Sequence, residues 1–437
     1  MTEAFAQASR QEATGVAAFS RALTVFEAIS ALNSSTMWFT FRVEGELDLD
    51  KLREAWGFVR RAHPVLTARI LPAAEEMLPG MPGFELVLPA EQAPAELVVH
   101  GPGATLATRP IPQGSESALV DVVLGDGEAF VSFAVGHAIA DGRLGAYWNS
   151  LLWSYYTDLA EGSAPAAAAH PVPKPPEEIL AERGVEREKI GPSRAERAEP
   201  VELPEPAGGD VVRERAQLSE QTTARLRAYA RAAGQTMHGL VAGAIAVATR
   251  QGLDLAEDRE ASIGLNSPVD LRERLDPPVE VWGGTNVLGF CEAVVSARPD
   301  SDPVALGAEV IAQIQEDLDS GVLQQSFLHI ADSFIKDQPK IPQTITTNIG
   351  VVPEVRTPRG TEVTDLFGWV DMDWAPLTAL LQAAGRTGAP PPLNSMHIIS
   401  TYRGRLTIDI STSTSPHEAR LHAQRITDLL LGVAERE

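Results

Sequence analysis

The sequence predicts an α+β fold, and three observations carry that expectation. Apolar residues make up 44% of the 437-residue chain and charged residues 22%, enough to bury a large core and too apolar for a disordered chain. Strand-like runs are intermixed with runs of helical spacing, without the regular strand–helix–strand repeat of a doubly wound sheet. A stretch of 47 residues, 163–209, holds 9 of the 32 prolines, a density that continues neither a helix nor a central strand. The expected organisation is an N-terminal lobe over 1–162, a crossover linker over 163–209 and a C-terminal lobe over 210–437.

The elements follow in order. Met37–Gly45 (MWFTFRVEG) alternates and is rich in aromatic and β-branched residues, which predicts a strand. Leu49, Leu52, Trp56 and Val59 stand at helical spacing, and Pro64 stops that helix. Leu119–Leu124 and Ala129–Val135 flank Gly125-Asp126-Gly127 and predict a hairpin. Leu144, Tyr147, Trp148, Leu151, Leu152 and Tyr155 mark one apolar helix face. In the second half Ser219 caps a helix that Gly234 ends, and Thr236 caps Met237–Arg250, whose Gly/Ala-rich face suits close packing. Asn286–Ser296 and His397–Ser411 read as strands, the second broken into a hairpin by Arg403-Gly404. Ser415-Pro416-His417-Glu418 has the capping-box pattern and opens a final helix to about Ala434.

The chain carries 36 Lys and Arg against 59 Asp and Glu, a net charge of −23. Such a field repels nucleic acid and anionic membrane surfaces, so neither is an expected partner. One cysteine, Cys291, excludes an internal disulfide and a cysteine-rich zinc site, and no metal is expected. Cys291 lies in the apolar run Val287–Cys291 and reads as a buried, inert thiol. The first fifteen residues carry acids and lack an apolar run, so no signal peptide is expected. The longest apolar runs, such as Leu240–Ala248, fall short of the ~18 residues of a membrane span. A cytoplasmic monomer is the expectation.

There is no GxSxG elbow, P-loop, HExxH or GxGxxG motif. Most of the nine histidines sit alone, His63, His100, His170, His329 and His417 among them, and read as structural or solvated. His137 differs. It follows the apolar run Phe133–Val135 and precedes a helix, where a side chain is both rigid and reachable. An imidazole takes up a proton near neutral pH. Asp141, four residues on, calls for a cation if it is buried, and Gly142 permits a tight turn. On spacing alone, a core histidine beside an N-cap aspartate explains the pattern somewhat better than a catalytic base does.

His137-Ala-Ile-Ala-Asp141-Gly142 resembles the HxxxDG motif of the thioester-dependent acyltransferase superfamily. That group includes chloramphenicol acetyltransferase, the condensation domains of nonribosomal peptide synthetases and polyketide-associated acyltransferases. Four further segments agree in order: Arg60–Arg69 with an early "hPxLr" segment, Pro268–Arg272 with the segment supplying an arginine to the motif aspartate, Thr347–Gly350 with a late "sNlG" segment, and Thr401–Leu406 with the C-terminal "tYdgrL" strands. The resemblance spans roughly residues 20–430. It implies two chloramphenicol-acetyltransferase-like lobes in a V, with a central tunnel that a thioester donor and an acceptor enter from opposite faces.

The same resemblance implies an acyltransferase that moves an acyl group from CoA or a carrier-protein thioester to an alcohol or amine, in natural-product or lipid biosynthesis. His137 would be the general base. Asp141 would pair with Arg272 across the lobes and hold the loop. Thr346, Thr347 and Asn348 are candidates for binding substrate or the developing oxyanion. No permanent cofactor is implied; acyl-CoA or a phosphopantetheine-linked acyl group is substrate, a small molecule is acceptor, and an acyl or peptidyl carrier protein is a possible partner. A carrier, itself acidic, calls for a local basic surface. Arg183, Arg187, Lys189, Arg194 and Arg197 are the candidates, although they alternate with glutamates in a manner better suited to a solvated linker.

Two departures stand out. Condensation and lipid-acylating members usually carry a second histidine before the catalytic one, where this chain has Gly136. Asp365-Leu366-Phe367-Gly368-Trp369 has the composition of a plant-type DFGWG segment with an extra Leu, and reads here as an aromatic-rich loop or strand. Two alternatives stay open: a degenerate condensation-like domain that binds and recruits without chemistry, and cyclisation or dehydration in the same tunnel.

Overall fold

The computed structural model describes residues 17–78, 80–201, 211–335, 340–373, 375–383 and 395–436. Its strands, in chain order, are β1 (Ala17–Ala22), β2 (Thr36–Gly45), β3 (Arg69–Leu78), β4 (Met81–Pro89), β5 (Leu97–His100), β6 (Ala118–Leu124), β7 (Glu128–Gly136), β8 (Val212–Gln217), β9 (Ala261–Asp270), β10 (Leu288–Ala297), β11 (Gln343–Val351), β12 (Thr361–Asp371), β13 (Met396–Tyr402) and β14 (Arg405–Thr412). Helices are interspersed, and the α+β class expected from the sequence holds.

The chain forms two compact units that are not sequential. Unit 1 is Met1–Gly184, Arg272–Val287 and Glu354–Pro390; unit 2 is Val185–Leu271, Leu288–Pro353 and Pro391–Glu437. The boundaries at 162 and 209 therefore shift. Two excursions from the second half return to unit 1 because long-range bonds hold them there: β12 pairs antiparallel with β2, and Arg272 reaches Asp141.

The proline-rich stretch is docked rather than solvated. In unit 1, the His170 N–H donates to the Ala62 carbonyl at 2.8 Å and Lys174 exchanges backbone bonds with Gly283 and Thr285, while Ile179 and Leu180 are buried. In unit 2, Arg194 forks onto Asp317 and Arg187 onto Asp332. Arg183 donates to the carbonyls of Pro277 and Ile179, and Arg197 to that of Pro192. Most of the arginines considered as a carrier-binding patch are thus engaged within their own unit. Residues 202–209 of the stretch lie outside the described residues.

Unit 1 is built on a five-stranded sheet of order β12-β2-β7-β6-β5, with a smaller sheet β1-β4-β3. The β6–β7 hairpin turns through Gly127 at φ 77°, in the loop its sequence predicts. Helix Leu49–Ala62 starts on Asp48, whose carboxylate accepts from the backbone of Asp50 and Lys51, and ends before Pro64. It buries Leu52, Trp56 and Val59, with Trp56 edge-on to Phe133 at 5.9 Å. Helix Gly142–Ala160 buries Trp148, Leu152 and Trp153; Trp153 meets Phe41 of β2 edge-on at 5.9 Å. Asp365–Trp369 lies within β12, where Trp369 packs with Trp38, Ile111 and Ala134, so an aromatic strand is what that segment forms.

Unit 2 carries a six-stranded mixed sheet of order β10-β9-β11-β13-β14-β8, with β11 parallel to both β9 and β13. Arg403 and Gly404, both at positive φ (48° and 75°), close the β13–β14 hairpin. Ser219, Thr236 and Ser415 each cap their helix by accepting a backbone N–H. Cys291 on β10 is fully buried, and burial pushes its thiol pKa well up. No helix among the described residues is long and apolar enough to cross a membrane.

Helix Met237–Gln251 crosses helix Pro303–Asp319 at backbone contact. A side chain on Gly243 would collide with the Pro303 carbonyl, and one on Gly307 with the Gly239 carbonyl. Gly243→Ala should therefore lower stability by about 1–3 kcal/mol, the usual cost of overpacking. Gly432 faces open space near the end of helix Pro416–Ala434, and Gly432→Ala should raise stability by up to about 1 kcal/mol. Chemical denaturation of the two variants checks both signs.

Candidate active site

β7 ends at Gly136, and the next five residues carry the chain into helix Gly142–Ala160. Backbone bonds shape this loop: the His137 N–H donates to the Ser35 carbonyl at 2.7 Å and the Ile139 N–H to that of Gly136 at 3.1 Å. Ala138, Ile139 and Ala140 are buried, anchoring the loop through apolar side chains. His137 stays partly exposed, with Phe26 edge-on at 6.5 Å.

Asp141 organises the loop. It is fully buried and caps the helix, its Oδ1 accepting from the Leu144 N–H at 3.0 Å. Its Oδ2 accepts from Arg272 Nη1 at 2.7 Å and from the Val287 N–H at 2.9 Å. Arg272, 1% exposed, also donates to the Gly284 carbonyl at 3.3 Å. A buried carboxylate taking a guanidinium and two amides is compensated on both oxygens. The pair lies inside unit 1, because segment Arg272–Val287 belongs to that unit. The expectation that it would join the two halves as separate lobes is corrected accordingly.

Asn286 was not singled out by sequence. The run Asn286–Ser296 reads as one strand, yet β10 begins only at Leu288. Asn286 is fully buried and its Nδ2 donates to the His137 carbonyl at 2.9 Å. Thr285, its neighbour, donates to Glu27 Oε1 at 2.8 Å, and Glu27 also takes a two-pronged bond from Arg21. Segment 272–287 thus holds the His137 loop by backbone, amide and ion pair together.

Burial is the largest influence on the His137 imidazole and lowers its pKa below the ordinary 6.5. Its own carbonyl, the Asp141 carboxylate, the Ala140 carbonyl and Asn286 oppose that shift. Nδ1 is buried and meets no partner in hydrogen-bond geometry among the described residues. The lowered pKa favours the neutral ring at neutral pH.

The other candidates lie on β11 in unit 2. Thr346 is fully buried and shares a 2.9 Å hydrogen bond with Ser267, which in turn lies 3.3 Å from His238 Nε2. Asn348 Oδ1 accepts from the Gly350 N–H at 2.8 Å, closing the local bulge. Successive strand residues face opposite sides, so Thr347 points away from the side that Thr346 presents.

The comparisons agree with this picture. A sequence model described as "Phthiocerol/phthiodiolone dimycocerosyl transferase C-terminus" matches residues 207–411. A phthiocerol/phthiodiolone dimycocerosyl transferase of Mycobacterium tuberculosis is 30% identical over 354 residues, 75% of this chain and 81% of that protein. The solved structure of polyketide synthase associated protein 5 from Mycobacterium tuberculosis superposes with a TM-score of 0.75 at 26% identity, covering 95% of this chain and 98% of the other. The first condensation domain of the calcium-dependent antibiotic synthetase superposes at 0.66 and 16% identity over 95% and 97% of the two chains, which shows a shared fold. The chain has the condensation-domain fold, and its relatives place it among the acyltransferases. Within that class, the chain belongs to the phthiocerol/phthiodiolone dimycocerosyl transferase family and is an acyltransferase.

Removing the Asp141 partner should unsettle the whole loop. Arg272→Ala leaves a buried carboxylate without its cation and should cost about 3–5 kcal/mol of stability. The expected readout is a lower unfolding midpoint together with reduced turnover; Arg272→Lys should recover part of each, since it restores charge without the fork.

Proposed function

We propose that this chain transfers an acyl group from a thioester, carried on CoA or on the phosphopantetheine arm of a carrier protein, to the hydroxyl of a small-molecule acceptor, with His137 as general base. The observation that supports this most is a partly exposed, neutral imidazole held from behind by a fully compensated carboxylate. Nδ1 is buried, so this reading gives the reacting lone pair to Nε2 and the proton of the neutral ring to Nδ1. Nε2 takes the hydroxyl proton as the oxygen attacks the thioester carbonyl. It then returns that proton to the departing thiolate, so the products are an ester and a free thiol.

Asp141 and Arg272 are positioning residues in this scheme, and Asn286 anchors the His137 backbone. Thr346, Thr347 and Asn348 are the proposed candidates for contact with the substrate or oxyanion, Thr346 by virtue of its hydroxyl network. The relatives' name specifies a mycocerosyl group moved to phthiocerol or phthiodiolone, which supports a hydroxyl acceptor and a lipid-like acyl group here.

His137→Ala should remove most thiol release and ester formation, roughly a hundredfold or more in kcat, while the unfolding midpoint stays near that of the parent. Full activity in that variant overturns the assignment. The pH dependence has a definite sign. The active form is neutral His137, and its lowered pKa extends that form below pH 6.5. kcat/KM should therefore hold through pH 6.5 and fall only on the more acid side, as initial rates of thiol release across a pH series will show.

A further inference from the structure

Asn286 meets more of His137 than its backbone. Its own backbone is pinned on both sides within unit 1: the Thr285 N–H donates to the Lys174 carbonyl at 2.9 Å, and the Val287 N–H donates to Asp141 Oδ2 at 2.9 Å. The side chain between them is fully buried. Its Nδ2 donates to the His137 carbonyl at 2.9 Å. Turning the amide over would set oxygen against oxygen, so the NH2 end is fixed on that carbonyl and the position of Oδ1 is fixed with it.

Three observations converge on the ring. Asn286 Oδ1 is buried and has no hydrogen-bond partner among the described residues. His137 Nδ1 is in the same condition. Asn286 is also one of the groups that act on the imidazole, and it acts as an acceptor does, by favouring the protonated ring. A buried polar atom without a partner is costly. An amide oxygen can only accept, whereas Nδ1 donates or accepts according to where the single proton of a neutral ring sits. With that proton on Nε2, both buried atoms are acceptors and neither is satisfied. With the proton on Nδ1, one becomes a donor for the other.

We infer that Asn286 is a positioning residue for the acyl transfer: its NH2 holds the His137 carbonyl while its oxygen takes the Nδ1 proton, so that one amide fixes both the place and the tautomer of the base. The inference rests on the reading of His137 as that base. Nε2 then keeps its lone pair for the hydroxyl proton. The carboxylates nearby are occupied elsewhere. On the elements packed around the loop, Asp141 pairs with Arg272, Glu27 with Arg21 and Glu273 with Arg143. The carbonyls of His137 and Ala140 also act on the ring, and a test of Asn286 must leave them in place.

Two variants of the full chain separate the ring from the backbone. Asn286→Asp keeps an acceptor for Nδ1 and loses the donor to the His137 carbonyl, whereas Asn286→Leu loses both. Thiol release from a fatty acyl-CoA with a long-chain alcohol gives the rates, and ring-15N histidine spectra, which need no substrate, give the tautomer. Asn286→Leu should move His137 toward the Nε2-protonated form and lower kcat roughly tenfold with KM little changed, the effect of one hydrogen bond. Asn286→Asp should keep the proton on Nδ1, and its carboxylate should move the acid limb of kcat/KM up by about one pH unit. A purely structural Asn286 predicts instead that both variants lose stability and rate together, with tautomer and acid limb unmoved. That result overturns the inference and leaves His137 as the base. If Asn286→Leu does not fold, the acid limb of Asn286→Asp decides alone. Full activity in His137→Ala, measured alongside, overturns the base reading itself.

Discussion

The buried carboxylate of Asp141 is the constraint on which the rest of the site depends. Asp141 stands at the junction between β7 and helix Gly142–Ala160 with no access to solvent. An uncompensated charge there would cost several kcal/mol, so the surrounding chain must deliver donors to it. One comes from the helix itself, through Leu144; the other two come from far along the sequence, through Arg272 and Val287. Satisfying one carboxylate therefore recruits the whole segment Arg272–Val287 into unit 1. That segment brings Asn286 to the carbonyl of His137 and Thr285 to Glu27. The position of the imidazole follows from these attachments, since the loop that bears it is tied at both backbone and side chain.

Rigidity and protonation state have a common origin here. The loop is anchored by the buried residues Ala138 to Ala140, and burial of the ring lowers the His137 pKa. A base that must accept a proton near neutral pH gains from being uncharged beforehand. In the proposed mechanism the Asp141–Arg272 pair positions the loop rather than relaying protons. Both oxygens of Asp141 are engaged by donors that hold the loop.

Much of this architecture is legible in the sequence, for local reasons. Ser219, Thr236 and Ser415 mark helix starts because capping is satisfied within four residues. Gly125-Asp126-Gly127 marks a hairpin because a turn needs positive φ. The HxxxDG spacing and the late arginine are recognisable as patterns. What escapes reading is what depends on distance along the chain. Asn286 looks like the start of a strand because apolar residues follow it, and nothing nearby announces that its amide meets the His137 carbonyl. The return of β12 to pair with β2 likewise has no local sign. Nor does the stacking of His63 on His170 at 4.5 Å, or the 2.9 Å contact between His397 and His422, since each of these histidines looks solitary in sequence. The proline-rich stretch misleads in the opposite way: prolines forbid regular structure but not docking, and Ile179 and Leu180 are as buried as core residues.

The account turns on a neutral His137 with its proton on Nδ1 and its lone pair on Nε2. Nuclear magnetic resonance of the protein carrying ring-15N histidine, with His137 assigned by comparison with His137→Asn, measures both properties directly. At pH 6.5, the ordinary histidine midpoint, the account predicts a neutral ring protonated at Nδ1, charging only as the solution becomes more acid. A His137 that is already half charged at that pH, or that holds its proton on Nε2, would contradict it.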